Sequence, residues 1–142
     1  MGPRVVIDTN VLVGALLSPS GHNREVLRAC FEERIHPIVG EALLHEYEDV
    51  LGRDAMFRGC PLSTVERGRF FEAFLSMCEW IRVFYLWRPN LRDEGDNHLI
   101  ELAVAGGADL IVTNNVRDFR EAELRFASIK VVGPGQLRKE MR

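Results

Sequence analysis

The 142-residue chain alternates short, unbroken apolar runs with longer stretches in which apolar residues recur every three or four positions. The first run, "RVVID", stays apolar until it ends in Asp8, as a strand buried on both faces of a parallel sheet should. "TNVLVGALL" and "HNREVLRACFEER" follow as helical stretches, the second with Val26, Leu27, Cys30 and Phe31 at helical spacing. "IHPIV" predicts a second strand. In "GEALLHEYEDVLGR" the residues Leu43, Tyr47, Val50 and Leu51 form one stripe, and Gly52 supplies a stop. "DAMFRGCPLS" is a turn-rich break. "STVERGRFFEAFLSMC" then opens on the capping signature Ser63-x-x-Glu66 and carries an apolar face through Phe70, Phe74, Leu75 and Cys78. "WIRVFYL" predicts a third strand, "NHLIELAVAGG" a helix, "ADLIVTNN" a fourth strand and "SIKVVGPG" a short fifth before a helical tail.

Strands alternating with helices call for parallel crossovers. The pattern therefore predicts an α/β fold, a three-layer α/β/α sandwich around a central parallel sheet of four to five strands. No repeat, low-complexity tract or linker divides the chain, so residues 1–142 are expected to form a single domain.

Composition narrows the function classes. A hydrophobic content of 46% fills a real core, and a net charge of -3 gives no global basic footprint. Any nucleic-acid contact must be local. Only Lys130 and Lys139 among the 18 basic residues are lysines; the arginines suit either bidentate phosphate contact or surface ion pairs. Cys30, Cys60 and Cys78 are odd in number and widely spaced, which suggests neither a disulfide framework nor a zinc site. No signal-peptide core or membrane-length apolar run is present, so a protein of the reducing cytoplasm, away from membranes, is expected.

The candidate chemistry lies where the strands end. In an open parallel sheet the ligand crevice lies beyond the carboxyl ends of the strands. Asp8 ends the first strand, Asn114, Asn115 and Asp118 follow the fourth, and Asp93 and Asp96 come in the loop after the third. Asp96 shares a helical line with Leu99, Ile100 and Ala103 and so points toward the sheet edge. Glu46 and Glu48 flank opposite edges of their helix stripe about equally, and spacing does not choose between them.

Two like charges ~4 Å apart cost on the order of 4 kcal/mol at an effective dielectric near 20, so such a cluster implies a cation. Oxygen donors without cysteine favour Mg2+ or Mn2+ over zinc. Taken singly, each residue has a plainer reading: Asp8 or Asp93 as a helix cap, Glu46 as a solvated helix edge, Phe70, Phe71 and Phe74 as core or subunit contact. The four histidines show no ligand spacing to one another, and no serine or cysteine carries a nucleophile signature.

"VVIDTNVLV", "LLHEYEDVL" and "DEGDNHLIELAVAGGADLIVTNNVRDF", in that order, resemble the PIN domain, a Rossmann-like nuclease fold of many prokaryotic ribonuclease toxins. The resemblance spans nearly the whole chain and is nearest to toxin components of toxin–antitoxin pairs. It implies Asp8, Glu46 and Asp96 as the metal-site acids, and so chooses Glu46 over Glu48. The fourth acidic position falls on Asn115, where relatives often carry Asp, and Asp118 matches the acid of the "RDF" segment. Gly95 also replaces a frequent acid, which leaves one or two metals open.

The resemblance implies a Mg2+- or Mn2+-dependent endoribonuclease with RNA as substrate, a cognate antitoxin as partner and a homodimeric state. Asp8 and Asp96 would hold the metal, with Glu46 orienting water and Asn115 and Asp118 supporting the site. Arg53, Arg58, Arg88, Arg92 and Arg117, in or beside loops, would guide the RNA backbone. The alternative is a PIN-like module that has lost its chemistry and binds RNA or a protein. A phospho-accepting α/β domain is a third class, but Asn10 stands where a haloacid-dehalogenase-like site wants a second acid.

Overall fold

The computed structural model describes residues 2–18, 20–83, 97–120, 126 and 128–141. Its element order is β1 (Arg4–Ile7), α1 (Thr9–Leu17), α2 (His22–Phe31), β2 (His36–Val39), α3 (Glu41–Leu51), α4 (Thr64–Met77), β3 (Glu79–Trp80), α5 (Asn97–Gly106), β4 (Leu110–Val112), β5 (Lys130–Val132) and α6 (Leu137–Glu140). Short 3-10 turns at Asp54–Phe57, Val116–Phe119 and Pro134–Gln136 join them. The strands form one five-stranded sheet in the order β3-β2-β1-β4-β5, with every pairing parallel.

This order places β1 at the centre. Val5, Val6 and Ile7 pair with Leu110, Ile111 and Val112 on one side, and Arg4 and Val5 pair with His36 and Pro37 on the other. Val5, Val6, Ile7, Ile111 and Val112 are fully buried, which is why these strands read as unbroken apolar runs and not as alternating ones. With right-handed crossovers, the helices between β1 and β3 fall on one face and α5 on the other. Contacts agree: α1 packs on α2 and α3, α2 on α4, and α5 on β1 and β4.

The predicted capping box forms. Ser63 Oγ accepts from the Glu66 backbone N–H, and Glu66 Oε1 accepts from the Ser63 N–H at 2.9 Å. The turn-rich break is held against α4 by Arg67, whose guanidinium lies 4.6 Å from the Phe57 ring centre and 3.4 Å from Asp54 Oδ1. Phe74 is fully buried, while Phe70 and Phe71 pack on the core from its margin.

The third strand differs from expectation. "WIRVFYL" predicts a strand from Trp80 to Leu86, whereas β3 is Glu79–Trp80; residues 84–86 lie outside those described. The reason is pairing. β3 bonds to β2, the register ends at Val39↔Trp80 with one further bond from Ile81 N–H to the Val39 carbonyl, and β2 turns into α3 at Gly40. Among the described residues of the run, Ile81, Arg82 and Val83 follow that last bond and are not strand.

The far edge of the sheet is tied by Arg4. Its guanidinium donates to both carboxylate oxygens of Glu79 and to the Gly106 carbonyl, while its backbone N–H donates to Asp109. The amino end of β1, the start of β3 and the end of α5 are thereby locked together. The opposite, carboxyl edge is left to carry the polar side chains.

Candidate metal centre and active site

The strand order reverses at β1, which passes to β2 on one side while β4 lies on the other. That topological switch point lies between the carboxyl ends of β1 and β4, where open α/β sheets bind their ligands. Asp8 directly follows β1 there. Its backbone N–H continues the ladder to the Val112 carbonyl at 2.9 Å, and its side chain is 5% exposed. Asp8 precedes α1 with extended backbone, yet makes no side-chain cap bond to that helix. The capping explanation therefore fails for this residue. Oδ2 of Asp8 instead accepts from the Thr113 hydroxyl at 2.7 Å and from Asn10 Nδ2 at 3.2 Å.

Burial pushes the Asp8 carboxyl above its usual range; the Thr113 hydroxyl opposes the shift, and the negative charge of Glu46 adds to it. Glu46 thus lies within electrostatic reach of Asp8. It is half-buried, while Glu48 is exposed beside His45.

Tyr47, the next residue on α3, anchors this placement. Its fully buried hydroxyl donates to the Ile7 carbonyl at 2.5 Å, and its ring meets Phe71 and Phe74 edge-on. The bond joins α3 to the last residue of β1, immediately before Asp8.

His98 is the site residue that sequence reasoning missed. Its Nε2 lies 2.6 Å from Glu46 Oε2, and a carboxylate can only accept, so Nε2 donates. This bond, followed by the charge of His98, lowers the Glu46 pKa against the opposing effect of burial. Searching for histidines spaced to bind with one another could not find it, because its partner is a glutamate 52 positions away. Its location on the first turn of α5 was the available signal.

The Glu46 shift has a checkable sign. A carboxylate with a depressed folded pKa adds stability above its unfolded pKa and loses it as pH falls through the folded one. In the metal-free protein, the Glu46 side-chain carbon resonance should titrate below the ordinary glutamate range. It should move back up in His98→Gln. An unchanged titration would show that the histidine contact is not formed in solution.

Asn115 and Asp118 sit just past β4. Asn115 is exposed, and its backbone N–H donates to Thr113 Oγ1 at 3.0 Å. Asp118 is half-buried in the 3-10 turn, bonded through its backbone N–H to the Asn115 carbonyl. Among the described residues, neither side chain bonds to Asp8 or Glu46. Asp93, Gly95 and Asp96, with Arg88 and Arg92, lie outside the described residues. α5 begins at Asn97, directly after Asp96, and Leu99, Ile100 and Ala103 are buried as their spacing predicts. Arg53 is paired with Asp49, while Arg58 and Arg117 are exposed.

The donors present are hard oxygens: the Asp8 and Glu46 carboxylates, near enough for the charge of Glu46 to raise the Asp8 pKa, and the buried Thr9 hydroxyl, which helps to lower that of Glu46. The Thr9 backbone N–H also bonds the Asp8 carboxylate, and among the described residues no side chain donates to Oδ1. A buried carboxylate beside a second carboxylate and a buried hydroxyl is a hard-oxygen donor set that fits a small divalent cation of the Mg2+ or Mn2+ type. The described residues alone bring no three acidic, histidine or cysteine groups into ligating position.

Residues 4–117 match the sequence model of a family described as PIN domain. The chain belongs to the PIN domain family. Among solved structures, this PIN domain is similar to a chain in the crystal structure of VapBC2 from Rickettsia felis bound to a DNA fragment from their promoter. The TM-score is 0.61 at 17% identity, with 92% of this chain and 98% of that chain covered. At that identity the likeness is one of fold. No curated protein matches the chain. PIN domains are generally nucleases, in keeping with a carboxylate site at the switch point. Among the described residues of this PIN domain, no helix is long and apolar enough to cross a membrane.

Proposed function

We infer that this PIN domain, residues 1–142 acting as one unit, is a Mg2+- or Mn2+-dependent endoribonuclease and the toxin of a toxin–antitoxin pair, working in the cytoplasm. The observation that carries the reading is the pairing of buried Asp8 with half-buried Glu46 at the switch point of a PIN-family sheet.

Asp8, Glu46 and Asp96 would hold the cation, with Asp8 Oδ1 the oxygen available to it. When bound, such an ion supplies Lewis-acid neutralisation of phosphate charge and acidifies a water. The chain's own groups supply the rest. Thr113 and Asn10 fix the Asp8 carboxylate by its other oxygen. Tyr47 sets α3 against β1, and His98 holds Glu46 so that its carboxylate can orient the attacking water. Asn115 and Asp118, just past β4, would support the site. Exposed Arg58 and Arg117 offset the repulsion between the acidic site and an RNA backbone. An antitoxin partner is proposed from the likeness to the VapBC2 assembly, and a homodimer from the family resemblance.

The test is cleavage of single-stranded RNA with Mg2+, Mn2+ or chelator, in wild type and Asp96→Asn. Cleavage should require the divalent ion and fall by more than about 100-fold in the variant, with its melting temperature kept. Wild-type cleavage rates in chelator or in Asp96→Asn would overturn the reading. Specific RNA binding without cleavage in any condition would favour the non-catalytic module instead.

A further inference from the structure

Three asparagines form a continuous chain from α2 to the base of the site. Asn23, on the first turn of α2, accepts at Oδ1 from Asn114 Nδ2 at 3.1 Å. Asn114, just after β4, also donates to Asn10 Oδ1 through Nδ2 and through its backbone N–H, both at 3.2 Å. Asn10 then donates through Nδ2 to Asp8 Oδ2.

The direction of the chain is determined at both ends of Asn10. A backbone N–H can only donate and a carboxylate can only accept, so Oδ1 must face Asn114 and Nδ2 must face Asp8. Turning the Asn10 amide over would break bonds at both ends.

The far end rests on a missing side chain. A Cβ on Gly14 of α1 would lie 2.2 Å from Asn23 Nδ2 and 2.8 Å from its Cγ. Gly14 is mid-helix, where glycine is disfavoured relative to alanine. The missing side chain leaves the space that the Asn23 amide occupies while its Oδ1 accepts from Asn114.

We propose that Asn23 and Asn114, seated over Gly14, are positioning residues that fix the Asn10 amide so that Asp8 Oδ2 is held and Oδ1 faces the divalent cation. The proposal rests on the cation reading given above, and it reaches the site through neutral amides alone. It makes Gly14, a residue with no bond to Asp8, a determinant of metal affinity.

The test uses the full chain with Gly14→Ala, Asn23→Ala and the double variant. Three quantities are measured: Mn2+ affinity by calorimetry, the melting temperature, and the Asn10 side-chain amide resonances of the metal-free protein. Asn23 is the far end of a flexible side chain, so Gly14→Ala should displace its amide and leave the helix intact. Each single variant should weaken Mn2+ binding about tenfold and shift the Asn10 resonances. Gly14→Ala should keep or raise the melting temperature, because alanine favours α1. In the double variant the alanine at position 14 should weaken binding no further, since the amide it displaces is already gone.

Unchanged Mn2+ affinity in both single variants, or losses that add in the double variant, would overturn the proposal. Wild type that binds no Mn2+ would overturn the cation reading. The metal-free resonances then judge the amide chain separately, and unshifted Asn10 signals would overturn that too.

Discussion

Asp8→Asn is expected to remove Mn2+ binding and RNA cleavage while raising the melting temperature of the metal-free protein by a few degrees. The substitution keeps the shape: the amide oxygen can take the place of Oδ2 and still accept from Thr113 and Asn10. It removes a buried negative charge whose pKa is raised by burial and by Glu46.

The pH dependence follows from that direction. Between the unfolded carboxylate pKa and the raised folded one, the folded state holds the extra proton. Asp8 therefore takes stability away as pH rises through that window. The melting-temperature advantage of Asp8→Asn should grow from mildly acidic pH upward and then level off. Glu46 is present in both proteins, and the loss of its repulsion with Asp8 is part of the variant's gain. Adding Mn2+ should reverse the ranking, because only wild type gains ligand stabilisation. Thermal melts of both proteins across pH, with and without Mn2+, check each step. A variant less stable than wild type at neutral pH without metal would contradict the account.

Tyr47→Phe is expected to cost about 1–3 kcal/mol of unfolding free energy, the penalty of leaving a buried acceptor short of its donor. The ring and its contacts with Phe71 and Phe74 remain, so the loss isolates one hydroxyl. Because that hydroxyl joins α3 to the end of β1, its loss also loosens Glu46 relative to Asp8. Cleavage should fall by roughly tenfold, as when an outer partner of a site ligand is removed. Denaturant unfolding and cleavage rates measured on the same preparation read both effects. Wild-type cleavage with the full stability loss would show that the hydroxyl supports the fold without positioning the site.

The sheet was legible because parallel strands buried on both faces leave unbroken apolar runs. β1, β2, β4 and β5 were found where those runs predict them. The third run departs from its prediction at residues 81–83, because hydrophobicity does not report where a strand's partner ends; β2 turns into α3 at Gly40. Asp8 was legible as a polar residue closing an apolar strand, although only the structure separates it from a helix cap. Glu46 and Glu48 could not be told apart by spacing, since both flank the same stripe. What separates them is depth beside β1, which depends on the Tyr47 anchor. The bond from His98 to Glu46 and the amide chain through Asn114 stayed hidden because each joins residues tens of positions apart, which no local period encodes.

The strand order also decides when the site can exist during synthesis. β1 leaves the ribosome first, but the hydroxyl that holds its terminal carboxylate belongs to Thr113, at the end of β4. A nascent chain that stops short of β4 has Asp8 without Thr113, without the Asn114 amide, and with one open side on its central strand. The bonds that hold the Asp8 carboxylate therefore cannot all form until β4 and the residues just after it have been made.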